Sequence, residues 1–88
     1  HVTETGAWMG RELHEIARRT GRIRQVRGTG LMWGVDVMQP AAPVIARALE
    51  AGLLLCSAGE YTVRLLPPLI ATQGELAQGL AILEHILS

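Results

Sequence analysis

Apolar and polar residues recur along this chain at two periods, and the switches between them lay out its elements. Over residues 1–20, Met9, Leu13, Ile16 and Ala17 fall at i, i+4, i+7 and i+8, one stripe of a helix, with Trp8 and Thr20 at its margins. Arg11, Glu12, Glu15, Arg18 and Arg19 take the opposite side. Gly21 is the expected stop, with Arg18 and Arg19 in the last turn, where cations suit the helix dipole. Thr3 is a candidate N-cap, but Gly6 is a weak helix residue, and the pattern fits a helix already under way before His1.

The period then drops to two. Arg22 to Arg27 reads as a weaker strand, with Ile23 and Val26 as its apolar members. After a Gly28-Thr29-Gly30 turn comes the cleanest strand of the chain, Leu31 to Met38. Leu31, Trp33, Val35 and Val37 share one face, and Met32, Gly34, Asp36 and Met38 the other. Two strands across a glycine turn form a hairpin. Pro43 fits the first position of a short helix over residues 42–51, with Ile45, Ala48 and Leu49 as its apolar face and Gly52 closing it. Leu53 to Cys56 reads as a buried strand, and Ser57 to Glu60 as a turn. Tyr61 to Leu66 is a further strand that stops at Pro67-Pro68, because proline cannot donate to a sheet ladder. Thr72-x-x-Glu75 is a capping box, followed by one stripe of Leu76, Leu80, Leu83, Ile86 and Leu87. The order α-β-β-α-β-β-α, with single-striped helices that must pack on something, implies a two-layer α+β domain with a mainly antiparallel or mixed sheet.

Composition narrows what such a domain can do. Eighty-eight residues make one small domain, 49% hydrophobic, with two Trp, one Tyr and no Phe, so the core must be aliphatic. Net charge is zero and there is no basic stripe, which argues against a nucleic-acid or membrane-surface partner. No apolar run approaches the ~20 residues of a membrane span. Cys56 is alone, and a small core thiol is the reading its setting supports; His1, His14 and His85 are far apart, and no metal-ligand spacing occurs. The Gly28-x-Gly30-x-x-x-Gly34 spacing lacks the glycine step and the following helix of a dinucleotide loop. All eight basic residues are arginine, so no lysine Schiff base can form on this chain. Asp36 calls for a cross-hairpin partner, Arg24 or Arg27.

One side chain asks for more. Arg64 sits between Val63 and Leu65, and a guanidinium is costly to bury alone. It either emerges at the edge of a pocket and forks onto a carboxylate, or faces outward on an open sheet face with its stem over apolar neighbours. The pattern alone leans to the second.

Four segments, in order, carry a resemblance that covers essentially the whole chain. They are Val26-Arg27-Gly28-Thr29-Gly30-Leu31-Met32-Trp33-Gly34-Val35-Asp36-Val37, Ala48-Leu49-Glu50-Ala51-Gly52-Leu53-Leu54, Val63-Arg64-Leu65-Leu66-Pro67-Pro68-Leu69, and the capped helix with Glu75-Leu76. Together they resemble the C-terminal small domain of class III pyridoxal-phosphate aminotransferases, and the Ser57-Ala58-Gly59 segment most resembles the acetylornithine type. The resemblance implies a cytoplasmic fold-type I enzyme, usually a homodimer, that transfers an amino group from N-acetylornithine or a related ω-amino acid to 2-oxoglutarate in arginine biosynthesis. It implies that pyridoxal 5′-phosphate is held by a large domain outside residues 1–88. It further implies that Arg64, in the family's Arg-x-x-Pro-Pro pattern, binds a substrate carboxylate, and that Arg27 with its flanking glycines is structural. That moves the expectation for Arg64 to the carboxylate clamp, with no catalytic, cofactor-binding or metal-ligating residue assigned within the chain, which alone should be inactive. The competing reading is a free-standing α+β module that binds a small molecule or a protein without catalysis. Apolar surface along the Met32/Gly34 face would favour a piece of a larger enzyme over such a module.

Overall fold

The computed structural model describes residues 2–65 and 71–88. Helix α1 (Val2–Thr20) leads into strands β1 (Ile23–Thr29) and β2 (Met32–Val37), then α2 (Ala41–Glu50), β3 (Cys56–Gly59), β4 (Thr62–Leu65) and α3 (Gln73–Leu87). The four strands form one sheet in the order β1-β2-β4-β3, every pair antiparallel. Val35, Val37, Val63 and Leu65 bury one face against Leu13 and Ile16 of α1, Val44 and Ala48 of α2, and Leu80, Leu83 and Leu87 of α3. The result is two layers, with the helices on one side of the sheet and, among the described residues, nothing on the other.

The strongest sequence signals map directly onto elements. The α3 stripe, Leu76, Leu80, Leu83, Ile86 and Leu87, is entirely buried. The capping box forms on both sides: the Glu75 N–H donates to Thr72 Oγ1 at 3.1 Å, and the Thr72 N–H donates to Glu75 Oε1 at 2.8 Å. Arg19 of α1 forks onto Glu84 of α3 at 2.7 and 2.9 Å, tying the two helices across their exposed sides. Gly6 and Gly10 have a packing role that propensity hides. A Cβ at Gly6 would lie 2.3 Å from the Gly30 carbonyl oxygen, and one at Gly10 2.6 Å from the Trp33 ring. α1 thus rides directly on the hairpin because these two positions lack side chains. Thr3 lies inside α1 rather than capping it.

Several boundaries differ from the sequence expectation, each for a physical reason. The hairpin turn is two residues, Gly30 and Leu31, between paired Thr29 and Met32, and Gly30 takes φ +57°. Ile23 and Val26 both face the core although they are three apart, because a bulge between Ile23 and Gln25 resets the alternation. α2 starts at Ala41 behind Pro40, which puts Pro43 at the third helical position, still within the turn whose N–H groups lack helical partners. Its buried face is Ala41, Val44 and Ala48, and Leu49 is left 62% exposed. The helix ends in a Schellman arrangement around Gly52 (φ +94°), with Leu53 N–H on Ala48 O and Gly52 N–H on Leu49 O.

The buried strand expected over residues 53–56 is not there. Leu53 to Leu55 is a connection in which Leu55 is buried and Leu54 is 74% exposed. The strand is Cys56–Gly59, an exposed sheet edge, so Cys56 is an exposed thiol and not a core residue. The expected strand stop at Pro67-Pro68 lies outside the described residues.

Candidate functional site on the open sheet face

Strand register sets the site. Arg27 on β1, Gly34 on β2, Arg64 on β4 and Cys56 on β3 oppose one another in a single row across the sheet. The next row holds Gln25, Asp36 and Thr62. All point away from the helices, since their neighbours Val35, Val63 and Leu65 point into the core. Adjacent strands lie about 4.8 Å apart, so the backbones at Arg27 and Arg64 are roughly 10 Å apart with only a glycine between them. A shallow depression of about 400 Å³ opens there, bounded by Arg27, Met32, Gly34, Ala58, Thr62 and Arg64.

The two arginines are in opposite states. Arg27 leans to Asp36 and binds it bidentately, Nη1 donating to Oδ2 at 2.8 Å and Nη2 to Oδ1 at 2.9 Å. Thr62 Oγ1 donates a third hydrogen bond to Asp36 Oδ1 at 2.7 Å. The Thr62 hydroxyl, then Arg27, holds the Asp36 carboxyl below its ordinary range. Of the two partners the sequence offers for Asp36, the fold selects Arg27. Arg64 is exposed and makes no ion pair or hydrogen bond among the described residues. Its surroundings already hold a neutralised Arg27–Asp36 pair, so among the described residues Arg64 supplies the uncompensated charge of this depression. A planar guanidinium with open donors suits a carboxylate.

The other candidates fall elsewhere. His14 lies on the exposed side of α1, with Nδ1 2.7 Å from the Gly10 carbonyl oxygen. The more open depression beside it, about 570 Å³, is lined by Glu15, which is committed to Arg18 at 2.6 Å. Among the described residues, no three of His, Cys, Asp and Glu converge on a point. The lining residues to which sequence reasoning gave no role in a site include Gly34 and Thr62. Their signal was present: Thr62 precedes Arg64 by two, hence shares its face, and Gly34 is a glycine inside the cleanest strand.

The family model described as "Aminotransferase class-III" matches residues 1–87. The chain is 45% identical over 63 residues to the mitochondrial acetylornithine aminotransferase of Neurospora crassa, covering 72% of this chain and 14% of that protein. It is 40% identical over 90 residues to the acetylornithine aminotransferase of Gloeobacter violaceus, covering all of this chain and 22% of that protein. Its fold superposes on the crystal structure of N-acetylornithine aminotransferase from Stenotrophomonas maltophilia K279a with a TM-score of 0.86 and 29% identity, over 97% of this chain and 24% of that one. The chain therefore spans about a fifth of the length of the curated relatives it matches end to end. It belongs to the class III aminotransferase family.

Proposed function

We propose that this chain is the C-terminal small domain of a longer acetylornithine- or ornithine-type transaminase, and that Arg64 binds a carboxylate of its amino-acid and 2-oxo-acid substrates. The observation that carries the reading is the contrast in the Arg27–Gly34–Arg64 row. One guanidinium is saturated by Asp36, and the other is exposed, without a partner among the described residues, beside a gap. The carboxylate forks onto Arg64, which fixes the direction in which the rest of the substrate lies. Asp36 and the Thr62 hydroxyl, already bonded to each other, keep Arg27 from competing for the same anion.

The family's cofactor is pyridoxal 5′-phosphate, which supplies the electron sink for amino-group transfer when bound. This chain's donors do not fit its covalent attachment, because there is no lysine among its 88 residues. In this reading the cofactor belongs to a large domain, the small domain's partner, and the chain alone does not turn over substrate. The reaction is transfer of an amino group from N-acetylornithine or a related ω-amino acid to 2-oxoglutarate, in arginine biosynthesis. The working form is a cytoplasmic homodimer. Among the described residues no helix is long and apolar enough to cross a membrane.

Steady-state kinetics of the full-length enzyme test the assignment. Hydrogen bonds to a charged group contribute about 1.5–3 kcal/mol, so Arg64→Ala should raise KM for both glutamate and 2-oxoglutarate roughly 10- to 150-fold. Cofactor content should be unchanged. An unaltered KM for both dicarboxylates contradicts the assignment.

A further inference from the structure

Gly34 is the one position in the central row whose lack of a side chain the fold does not explain. Its φ is not in the left-handed region. Among the described residues, a Cβ built there would meet nothing closer than the Arg27 carbonyl oxygen, at 3.9 Å, an ordinary contact. This sets it apart from Gly6, Gly10 and Gly28, where an added Cβ would come within 2.6 Å of a neighbouring atom. Glycine inside a strand weakens it and leaves nothing to pack, so a glycine without a backbone reason marks a place where something else comes close. What Gly34 leaves open is the space between Arg27 and Arg64, on the floor of the depression that Met32 and Thr62 border.

We propose that Gly34 is a specificity-determining position: its missing side chain keeps a shelf on the sheet beside Arg64, and the carbon chain of the acid whose carboxylate Arg64 holds lies on that shelf. This rests on the carboxylate reading of Arg64 and adds to it a steric limit on the substrate's backbone-proximal atoms. A side chain at position 34 would stand up between the two guanidinium stems and displace the chain of a five-carbon dicarboxylate. The strand itself would tolerate the change, because β-branched residues suit a strand and, among the described residues, an added Cβ makes only an ordinary contact.

The experiment is a graded series, Gly34→Ala, Gly34→Val and Gly34→Leu, in the full-length enzyme, with Arg64→Lys measured in parallel. The expected result is a KM for 2-oxoglutarate that climbs with side-chain volume, within about threefold for Ala and tenfold or more for Val and Leu. The thermal midpoint should hold or rise, and kcat should stay within about threefold. If KM stays flat across the series while Arg64→Lys raises it, the shelf is wrong and the Arg64 reading stands. If neither changes KM, both are wrong. A KM that rises only together with a falling thermal midpoint, or a loss confined to kcat, makes Gly34 structural and overturns the inference.

Discussion

Asp36 accepts three hydrogen bonds on a sheet face that is otherwise open, and that concentration has a pH signature. The Thr62 hydroxyl first, and Arg27 after it, lowers its pKa below the ordinary 3.8. A carboxyl whose folded pKa lies below its unfolded one adds stability that is present above the unfolded value. That stability is lost as pH falls through the folded one. Asp36→Asn should therefore cost about 1 kcal/mol near neutral pH, and the gap to the parent protein should close as pH drops below about 3.8. Urea unfolding at pH 7 and pH 3 reads this. Equal gaps at both pH values would show that the network's charge is not what stabilises it. Glu84, held down by Arg19, and Glu75, held down by the Thr72 N–H and hydroxyl, steepen the same acid limb. The sequence showed that Asp36 needed an arginine but not which one. That depended on register, since Arg27 stands opposite Gly34, one row from Asp36, while the bulge after Ile23 shifts Arg24.

Elements were legible where two independent signals agreed. α3 had both a capping box and a five-residue stripe, and both are present in the structure. β2 had strict alternation, and its inward residues Val35 and Val37 are fully buried. The run Leu53-Leu54-Leu55 carried hydrophobicity without a period. Such a run cannot say which leucine turns inward, and the fold spends Leu53 on the end of α2, Leu55 on the core and leaves Leu54 in solvent. Propensity also misjudged α1. Gly→Ala in a helix interior ordinarily stabilises by about 1 kcal/mol. At Gly6 the added methyl would press on the backbone carbonyl of Gly30, a group that cannot rotate away. Gly6→Ala should instead destabilise by about 1–3 kcal/mol, the usual range for overpacking. A thermal midpoint at or above the parent's would mean that α1 does not sit on the hairpin as described.

At the scale of the whole molecule, the described residues cover one face of the sheet and leave the other bare. In the sequence, apolar surface along the Met32/Gly34 face was the feature that would favour a piece of a larger enzyme over a free-standing module. Met32 is 63% and Met38 53% exposed, while Arg27, Asp36, Thr62 and Arg64 make the middle of that face polar. A bare face of this composition suits a wet, charge-selective site better than a dry domain contact. Arg64 itself was visible early, as a charge in an apolar strand, yet its freedom from partners among the described residues could be known only once Arg27 had been seen to take Asp36. That freedom is the centre of the functional account, and direct binding of a dicarboxylate that cannot react tests it most simply. Calorimetric titration of glutarate into the full-length enzyme and its Arg64→Ala variant should show affinity falling roughly 30- to 150-fold, the equivalent of about 2–3 kcal/mol. Equal affinities would contradict the account, because they would leave Arg64, unpaired among the described residues, without the carboxylate it is held out to meet.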